Sequence, residues 1–292
     1  MTRQSPGGDS ASTDRGQFLS EPVSLAWQAF DRAANLACRV APAMPILFFG
    51  DLEAYRASPL RVLTVGLNPS LHEFPADEPF RRFPSARGNR EPHRYLDALS
   101  GYFGARPYRS WFDALLPLLE GLGASYYKEA RSAAGGWLRR MLLEGSGASH
   151  SKGAASTALH TDICSPVATR PTWSKLSEGN RAALEAAGIP LWHKLLEELR
   201  PQIVAISVAK AYLKRIRFTP MSNWEVVHAF EWTDSGERRS RPYEIRARWH
   251  NVGGERSLFI FGASAHKPFG LLGDGQKRKA GELLRKEYLK GR

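Results

Sequence analysis

The sequence predicts a single-domain, three-layer α/β/α fold with a central, mainly parallel four-stranded sheet and an inserted β-hairpin. Apolar runs rich in β-branched residues alternate with longer stretches of helical periodicity, which is typical of βα units with right-handed crossovers. These runs also stop in polar turns, as the strands of an open parallel sheet do. With 292 residues and 42% hydrophobic content, the chain is long enough to bury a substantial core.

The N-terminal region predicts a tail followed by a helix. Residues 1–20 are rich in Ser, Gly and polar side chains, which predicts a disordered tail and places the domain at residues 21–292. From Glu21 to Ala41 the periodicity of apolar residues predicts an amphipathic helix. The residues expected to face inward include Leu25, Phe30 and Leu36.

The first predicted strand begins at Leu60 and stops in the turn Gly66-Leu67-Asn68-Pro69-Ser70. Ligands of open α/β sheets lie outside the carboxyl ends of the strands, so Asn68 is a candidate site residue. Gly66 permits a close backbone approach, and Pro69 stiffens the chain after the turn. A turn without a further role is the alternative interpretation of an Asn-Pro pair.

Residues 71–96 form a loop that is too long for a simple connection, which is typical of a functional segment. Phe80 and Phe83 flank two arginines, Arg81 and Arg82, and this is the composition of a site that stacks a base and holds a phosphate. The alternative is that both phenylalanines fill the core.

The central region predicts further helices and two strands. Residues 94–143 contain apolar-periodic helical segments broken by Gly and Pro, and Gly145–Ser156 predicts a flexible connector. The next elements are a strand at 157–164 that carries Asp162, helices at 178–187 and 191–200, and a buried strand at 201–209.

The C-terminal region predicts a hairpin, a strand and a basic helix. Two alternating runs between Met221 and Val252 flank an Arg-rich tip that either contacts a nucleic-acid backbone or is a solvated edge. The strand Leu258–Phe261 then ends in a loop of small residues that presents His266 and Lys267. The chain closes with a basic helical stretch.

Charge and composition narrow the class of partner. A formal net charge of +12 points to a polyanion, nucleic acid ahead of a membrane surface. The two cysteines, Cys38 and Cys164, are too few for a disulfide framework or a metal cluster, and a reducing cytoplasm is expected. No apolar run predicts a membrane span or a secretion signal. No metal or cofactor is expected.

The turn at Gly66–Ser70 and the segment His266-Lys267-Pro268 resemble two motifs of the uracil-DNA glycosylase superfamily. Members carry G-[QIM]-[DN]-P after the first core strand and a motif containing His and Pro after the last. The sequence GLNPS is similar to the GINPG and GMNPG forms of the mismatch-specific and single-strand-selective branches. The segment LHTDICSP at 159–166 looks like the strand that ends in the base-reading residue, and the resemblance covers roughly Pro59 to Gly273.

The resemblance implies a monofunctional DNA glycosylase that hydrolyses the N-glycosidic bond of a flipped, deaminated or mismatched base without cleaving the strand. It implies that Asn68 positions the attacking water and that His266 stabilises the departing base. The residues implied to bind the base are Gly66, Leu67, Phe80, Phe83 and Asp162. The residues expected to contact DNA are Ser70, Arg81, Arg82, Arg170, Ser264, Lys267 and Leu271. The resemblance also implies an apolar wedge that fills the space vacated by the flipped base, and Leu271 or Leu272 is the candidate.

Asp162 departs from the pattern of the family, which typically has Asn at this position. An amide both donates and accepts hydrogen bonds, as O4 and N3–H of uracil require, whereas an ionised carboxylate only accepts. We therefore expect either a base edge that offers donors or a carboxyl group whose pKa is raised by burial. A cap on the following loop is the alternative role of Asp162.

Two other functions fit the same sequence. One is a catalytically inactive nucleic-acid-binding protein on the same fold, which the departure at Asp162 favours. The other is an α/β enzyme that acts on free nucleosides or nucleotides. Under the glycosylase interpretation, we expect a monomer that binds DNA, in single-stranded or duplex form, and makes no membrane contact.

Overall fold

A computed structural model describes residues 18–87, 89–127 and 156–291. The described ranges contain seven α-helices and eight β-strands. The helices are α1 Ser20–Arg32, α2 Leu52–Arg56, α3 Pro92–Ser100, α4 Arg109–Phe112, α5 Leu116–Leu122, α6 Glu178–Leu199 and α7 Asp274–Lys290. The strands are β1 Val62–Gly66, β2 Ala124–Ser125, β3 Ser156–Asp162, β4 Ile203–Ile206, β5 Thr219–Pro220, β6 Glu225–Trp232, β7 Arg238–Val252 and β8 Glu255–Phe261.

The strands form one mixed sheet in the order β2-β3-β1-β4-β8-β7-β5, and β6 pairs with β7. Strands β2, β3, β1, β4 and β8 run parallel to one another, whereas β7 is antiparallel to β8, β5 and β6. The predicted α/β class is confirmed. The predicted count of four strands is wrong, because the hairpin β6–β7 joins the same sheet through β8 and short strands lengthen it.

Helices cover both faces of the sheet. Neighbouring residues along a strand point to opposite faces, so β3 reports on both. On one face, Trp192 of α6 donates a hydrogen bond from Nε1 to Thr161 Oγ1 at 3.0 Å. On the other, the ring of Phe112 from α4 packs 5.2 Å from the ring of His160. Helix α1 packs on α6, and α5 packs on α7.

Helix α1 is shorter than the sequence predicts. It ends at Arg32 instead of Ala41, and residues 38–40 pair with the chain beyond β3. Val40 N donates to Ala168 O at 3.0 Å, and Arg170 N donates to Cys38 O at 2.8 Å. These tertiary backbone bonds override a local sequence that is compatible with a helix.

The other helices follow the sequence with small differences. The two helices predicted at 178–187 and 191–200 are one helix, α6, which continues through Pro190. Ser177 caps this helix, because its Oγ accepts from Asn180 N at 3.2 Å. The predicted N-terminal tail up to residue 17 and the predicted elements within 128–155 lie outside the described residues.

Helices α5 and α7 meet through their backbones. A Cβ atom at Gly121 would lie 2.1 Å from Arg278 O, and one at Gly281 would lie 2.2 Å from Leu118 O. Real Cβ atoms do not approach backbone so closely, so this crossing requires glycine in both helices. Within the described ranges, no helix is both long and apolar enough to cross a bilayer.

The hairpin predicted between residues 221 and 252 is present as β6 and β7. Strand β7 pairs with β8 only over Arg246–Val252, and Arg246 is opposite Phe261, the last residue of β8. Residues 228–245 therefore continue past the end of β8. We call them the hairpin arm.

Candidate functional site

The candidate site lies at the C-terminal edge of the parallel strands. Strand β1 lies between β3 and β4, so the connection from β3 to β4 passes over β1. Such a change in strand order leaves a crevice at the C-terminal ends of the strands, and ligands of open α/β sheets bind in this crevice. The loop after β1 carries Asn68, and the loop after β8 carries His266. Only β4 separates β1 from β8. At a strand spacing of about 4.8 Å, the ends of β1 and β8 lie about 10 Å apart.

The side chain of Asn68 has a fixed orientation. Its Nδ2 group donates to Pro69 O at 2.7 Å, to Thr169 Oγ1 at 2.9 Å and to Val167 O at 3.3 Å. Two of these partners are backbone carbonyls, which can only accept, so the nitrogen of the carboxamide must face them. The Oδ1 atom points away from them and accepts no hydrogen bond from any described residue.

The loop of Asn68 is held by the chain that follows β3. Ile163 N donates to Gly66 O at 3.1 Å, and Cys164 N donates to Leu67 O at 2.9 Å. Ser70 pairs with Thr169 in a parallel bridge, and its Oγ accepts from His72 N at 3.3 Å. The predicted site residues Gly66, Leu67 and Ser70 thus belong to one braced turn.

Asp162 ends β3 directly opposite Gly66 of β1. Its side chain is 5% exposed, and its Oδ1 lies 3.7 Å from Nε2 of His160. The carboxyl group accepts no hydrogen bond within the part of the chain that is described. A Cβ atom at Gly66 would lie 2.5 Å from Asp162 Oδ1, so glycine is what leaves room for this carboxyl group.

A buried hydrogen-bond chain sets the imidazole next to Asp162. Thr64 Oγ1 is 2.5 Å from Tyr126 OH and 2.7 Å from His160 Nδ1. If Tyr126 donates to Thr64, and Thr64 donates to Nδ1 instead of to Leu159 O at 3.3 Å, the ring carries its proton on Nε2. This assignment directs an N–H group at the carboxylate of Asp162, and the other neutral tautomer would direct a lone pair at it.

Glu73 is a buried carboxyl group that the sequence interpretation missed. Tyr102 OH donates to Glu73 Oε2 at 2.5 Å and accepts from Tyr108 N at 3.0 Å. Burial raises the pKa of Glu73 to about 8, the Tyr102 hydrogen bond and the Arg82 charge lower it, and the Asp162 charge raises it. The sequence does place a carboxyl group five residues after Asn68, but the loop pattern does not indicate that this group is buried.

The aromatic and basic residues of the loop divide into surface and core. Phe83 is fully buried and stacks on Phe74 at 5.5 Å, so in this structure it fills the core. Arg82 is also buried, and it donates to the carbonyl oxygens of His72 and Arg106 instead of pointing to solvent. Phe80 is half-buried, and Arg81 makes an ion pair with Asp77 at 3.0 Å. Of the two phenylalanines, only Phe80 is open to a ligand.

The loop after β8 is anchored at several points and presents His266 at its tip. Phe269 is buried, and its N donates to Oγ of Ser207, just beyond β4, at 2.7 Å. Tyr243 OH of the hairpin arm donates to Ala263 O at 2.5 Å. His266 is exposed and has a φ of 58°, in the left-handed region.

The other residues predicted to contact DNA lie mostly at the surface. Arg170, Lys267 and Leu271 are exposed, and Ser264 is half-exposed. Leu272 is 4% exposed and packs in the core, so of the two leucines only Leu271 has an exposed side chain.

A basic segment after β4 was not anticipated as part of the site. Its exposed cations make no ion pair with described residues, and they are Lys210, Lys214 and Arg217. Arg215 in the same segment pairs with Glu185 at 2.8 Å. Four cations within eight residues directly after a buried strand were the available signal.

A cavity of about 10 Å³ lies beside Asp162 and is also lined by Ile46, Pro166 and Trp192. This volume is about the space of one water molecule, so a nucleobase does not fit there. Among the described residues, no cluster of His, Cys, Asp and Glu side chains could hold a metal ion.

Comparison with known proteins adds no family. No family model, no curated protein and no solved structure matches the chain.

Proposed function

We propose that this protein is a DNA glycosylase that hydrolyses the N-glycosidic bond of a flipped base and leaves the strand intact. The observation that carries the proposal is the carboxamide of Asn68, whose nitrogen donates to three acceptors and whose oxygen accepts from none of the described residues. This oxygen accepts a hydrogen bond from a water molecule and orients it. An amide is not a strong base, so it positions the water without deprotonating it.

In the proposed reaction, the water oxygen bonds to C1′ of the sugar while the C1′–N bond breaks. The bonding electron pair leaves with the base, the water loses a proton to solvent, and the base anion is later protonated. His266, at the loop about two strand spacings away, donates to the departing base. Preorganised donors of this kind contribute about 10²–10³ to the rate.

Asp162 and Glu73 are the proposed specificity residues. Asp162 supplies an acceptor, and Glu73 supplies a donor because burial raises its pKa to about 8 and keeps it protonated at neutral pH. Together, the two carboxyl groups offer what one amide offers in the related motif. In this proposal, the two groups together supply the donor and the acceptor that the edge of a base such as uracil needs, which an ionised carboxylate alone does not.

Charge supports a nucleic-acid partner. The chain carries a net charge of +12, and exposed cations follow β4 at the same edge as Asn68 and His266. Such cations bind the phosphate groups of a nucleic acid without distinguishing its base sequence.

The water-sized cavity beside Asp162 favours one alternative, a nucleic-acid-binding protein without activity. For a base to reach Asp162, the loops at this edge have to separate. Base release and binding must therefore be measured separately.

The test is a panel of oligonucleotides that carry uracil, hypoxanthine, xanthine or a T·G mismatch, treated with alkali after incubation to reveal abasic sites. We expect release of at least one base, and Asn68→Ala to slow it by about 10²-fold or more. Asn223→Ala, at an exposed asparagine outside the site, is the matched control. Equal rates of base release for Asn68→Ala and the parent would refute the role of Asn68 in positioning the water. DNA binding without base release would favour the inactive alternative.

A further inference from the structure

The hairpin arm stands beside the candidate site. Strand β7 leaves the sheet edge at Arg246, which pairs with the last residue of β8. The arm continues beyond that point for eight residues of β7, or about 25 Å at about 3.3 Å per residue. It therefore runs alongside the loop that presents His266.

One arginine fastens the arm to the chain that follows this loop. Arg239 donates from Nη2 to Leu271 O at 2.6 Å and from Nε to Trp232 O at 3.2 Å. Gln276 reinforces the junction, because its Oε1 accepts from Arg239 at 3.0 Å and its Nε2 donates to Trp232 O at 2.6 Å. A single guanidinium group thus holds the backbones of Trp232 and Leu271 together.

These two residues leave large apolar side chains open to solvent. Trp232 and Leu271 are each 53% exposed, and Trp232 is the one aromatic residue among the large exposed hydrophobic residues of the described ranges. An exposed indole on a fixed backbone loses little conformational entropy when a flat partner covers it. Stacking on a nucleobase is the contact that such a surface fits.

Charge on the arm is nearly balanced. Arg238 and Arg241 are exposed and make no ion pair with described residues, but four exposed acidic residues share the arm, namely Glu231, Asp234, Glu237 and Glu244, of which Glu244 pairs with Arg246. The arm is therefore not a general anchor for phosphates. Its contribution to binding must come from the apolar surface more than from charge.

We propose that Trp232 and Leu271 form a stacking platform for an unpaired nucleotide next to the candidate site, and that Arg239 holds the platform together. The inference rests on the proposed function for the nature of the partner, single-stranded nucleic acid. It assigns to the arm a binding role that is separate from base release. Because no phosphate contact is involved, the contribution of Trp232 is independent of salt.

The test measures fluorescence anisotropy of labelled oligonucleotides without modified bases, single-stranded and duplex, over a series of salt concentrations. Trp232→Ala should raise the Kd for the single strand about tenfold, leave the Kd for the duplex unchanged and leave the salt slope unchanged. Trp232→Phe should retain most of the affinity. Val226→Ala, on the same strand and 47% exposed in the parent, is the matched control and should bind as the parent does.

Unchanged single-strand affinity in Trp232→Ala, or an equal loss in Val226→Ala, would overturn the platform. So would loss of self-association in Trp232→Ala at constant nucleic-acid affinity, because the patch would then be a contact between copies. The proposed function is tested separately by base release. If no oligonucleotide loses a base but single-strand affinity still depends on Trp232, the glycosylase proposal is refuted and the platform is supported.

Discussion

Glu73 is the residue whose protonation most directly links the candidate site to stability. Its folded pKa of about 8 is above its ordinary value of 4.5, because burial disfavours the charged form. The unfolded chain releases this proton from about pH 4.5, whereas the folded chain keeps it until about pH 8. The contribution of protonated Glu73 to the free energy of unfolding is therefore complete below pH 4.5, and it decreases as the pH rises from about 4.5 to about 8.

We predict that Glu73→Gln removes this decrease. Relative to the variant, the parent should lose up to about 1.4 kcal/mol of unfolding free energy per pH unit within the window. Urea denaturation at several pH values measures the difference, and Glu78→Gln, an exposed change in the same loop, is the control. Parallel pH profiles for parent and Glu73→Gln would show that Glu73 is already ionised in the folded protein.

Asp162 provides the second prediction at the residue scale. Asp162→Asn adds a donor at the end of β3, so release of uracil should increase relative to release of the other bases. Rates on the oligonucleotide panel measure this preference, and Asp97→Asn, at an exposed site on α3, controls for loss of charge. An unchanged order of substrates would remove Asp162 from base recognition.

At the scale of the element, the close crossing of α5 and α7 restricts which residues these two helices can carry. Gly281→Ala would place a Cβ atom 2.2 Å from Leu118 O, whereas one at Gly275 in the same helix would meet nothing within 4 Å. We predict that Gly281→Ala destabilises by about 1–3 kcal/mol through overpacking. Gly275→Ala should be neutral or stabilise by up to about 1 kcal/mol. Thermal denaturation of both variants decides the matter, and equal melting temperatures would mean that the helices shift apart without cost.

The strands and their polar turns could be predicted from local pattern, because an apolar run that ends in Gly-Leu-Asn-Pro needs no tertiary information. The end of α1 could not, since residues 38–40 leave the helical conformation to bond a distant segment. The burial of Phe83 and Glu73 was also inaccessible, because a Phe-Arg-Arg-Phe stretch and a lone Glu look the same in a solvated loop and in a core. Asn68 could be named, but its orientation depends on Val167 and Thr169, about one hundred residues later.

At the scale of the whole molecule, the net charge of +12 makes a prediction about nucleic-acid binding. Affinity for DNA should decrease linearly with the logarithm of the salt concentration, because bound phosphates release counterions. Changing Lys210 and Lys214 to Gln together should reduce the slope by about 1.8 if each contacts one phosphate. Lys286→Gln, about 18 Å along α7 from its first residue, is the control. Equal slopes for the double variant and the parent would place the phosphate contacts elsewhere.

The position of β4 has a mechanical consequence. Asn68 is held from the β3 side, by Val167 and Thr169, whereas the loop of His266 is held by Ser207, which directly follows β4, and by Tyr243 of the hairpin arm. The four residues of β4 lie between the strands that end in these two loops, and one anchor of the His266 loop is at the end of β4 itself. A displacement at the end of β4 is therefore transmitted through Ser207 to the loop of His266, and it changes the distance between this loop and Asn68, which is held from the β3 side.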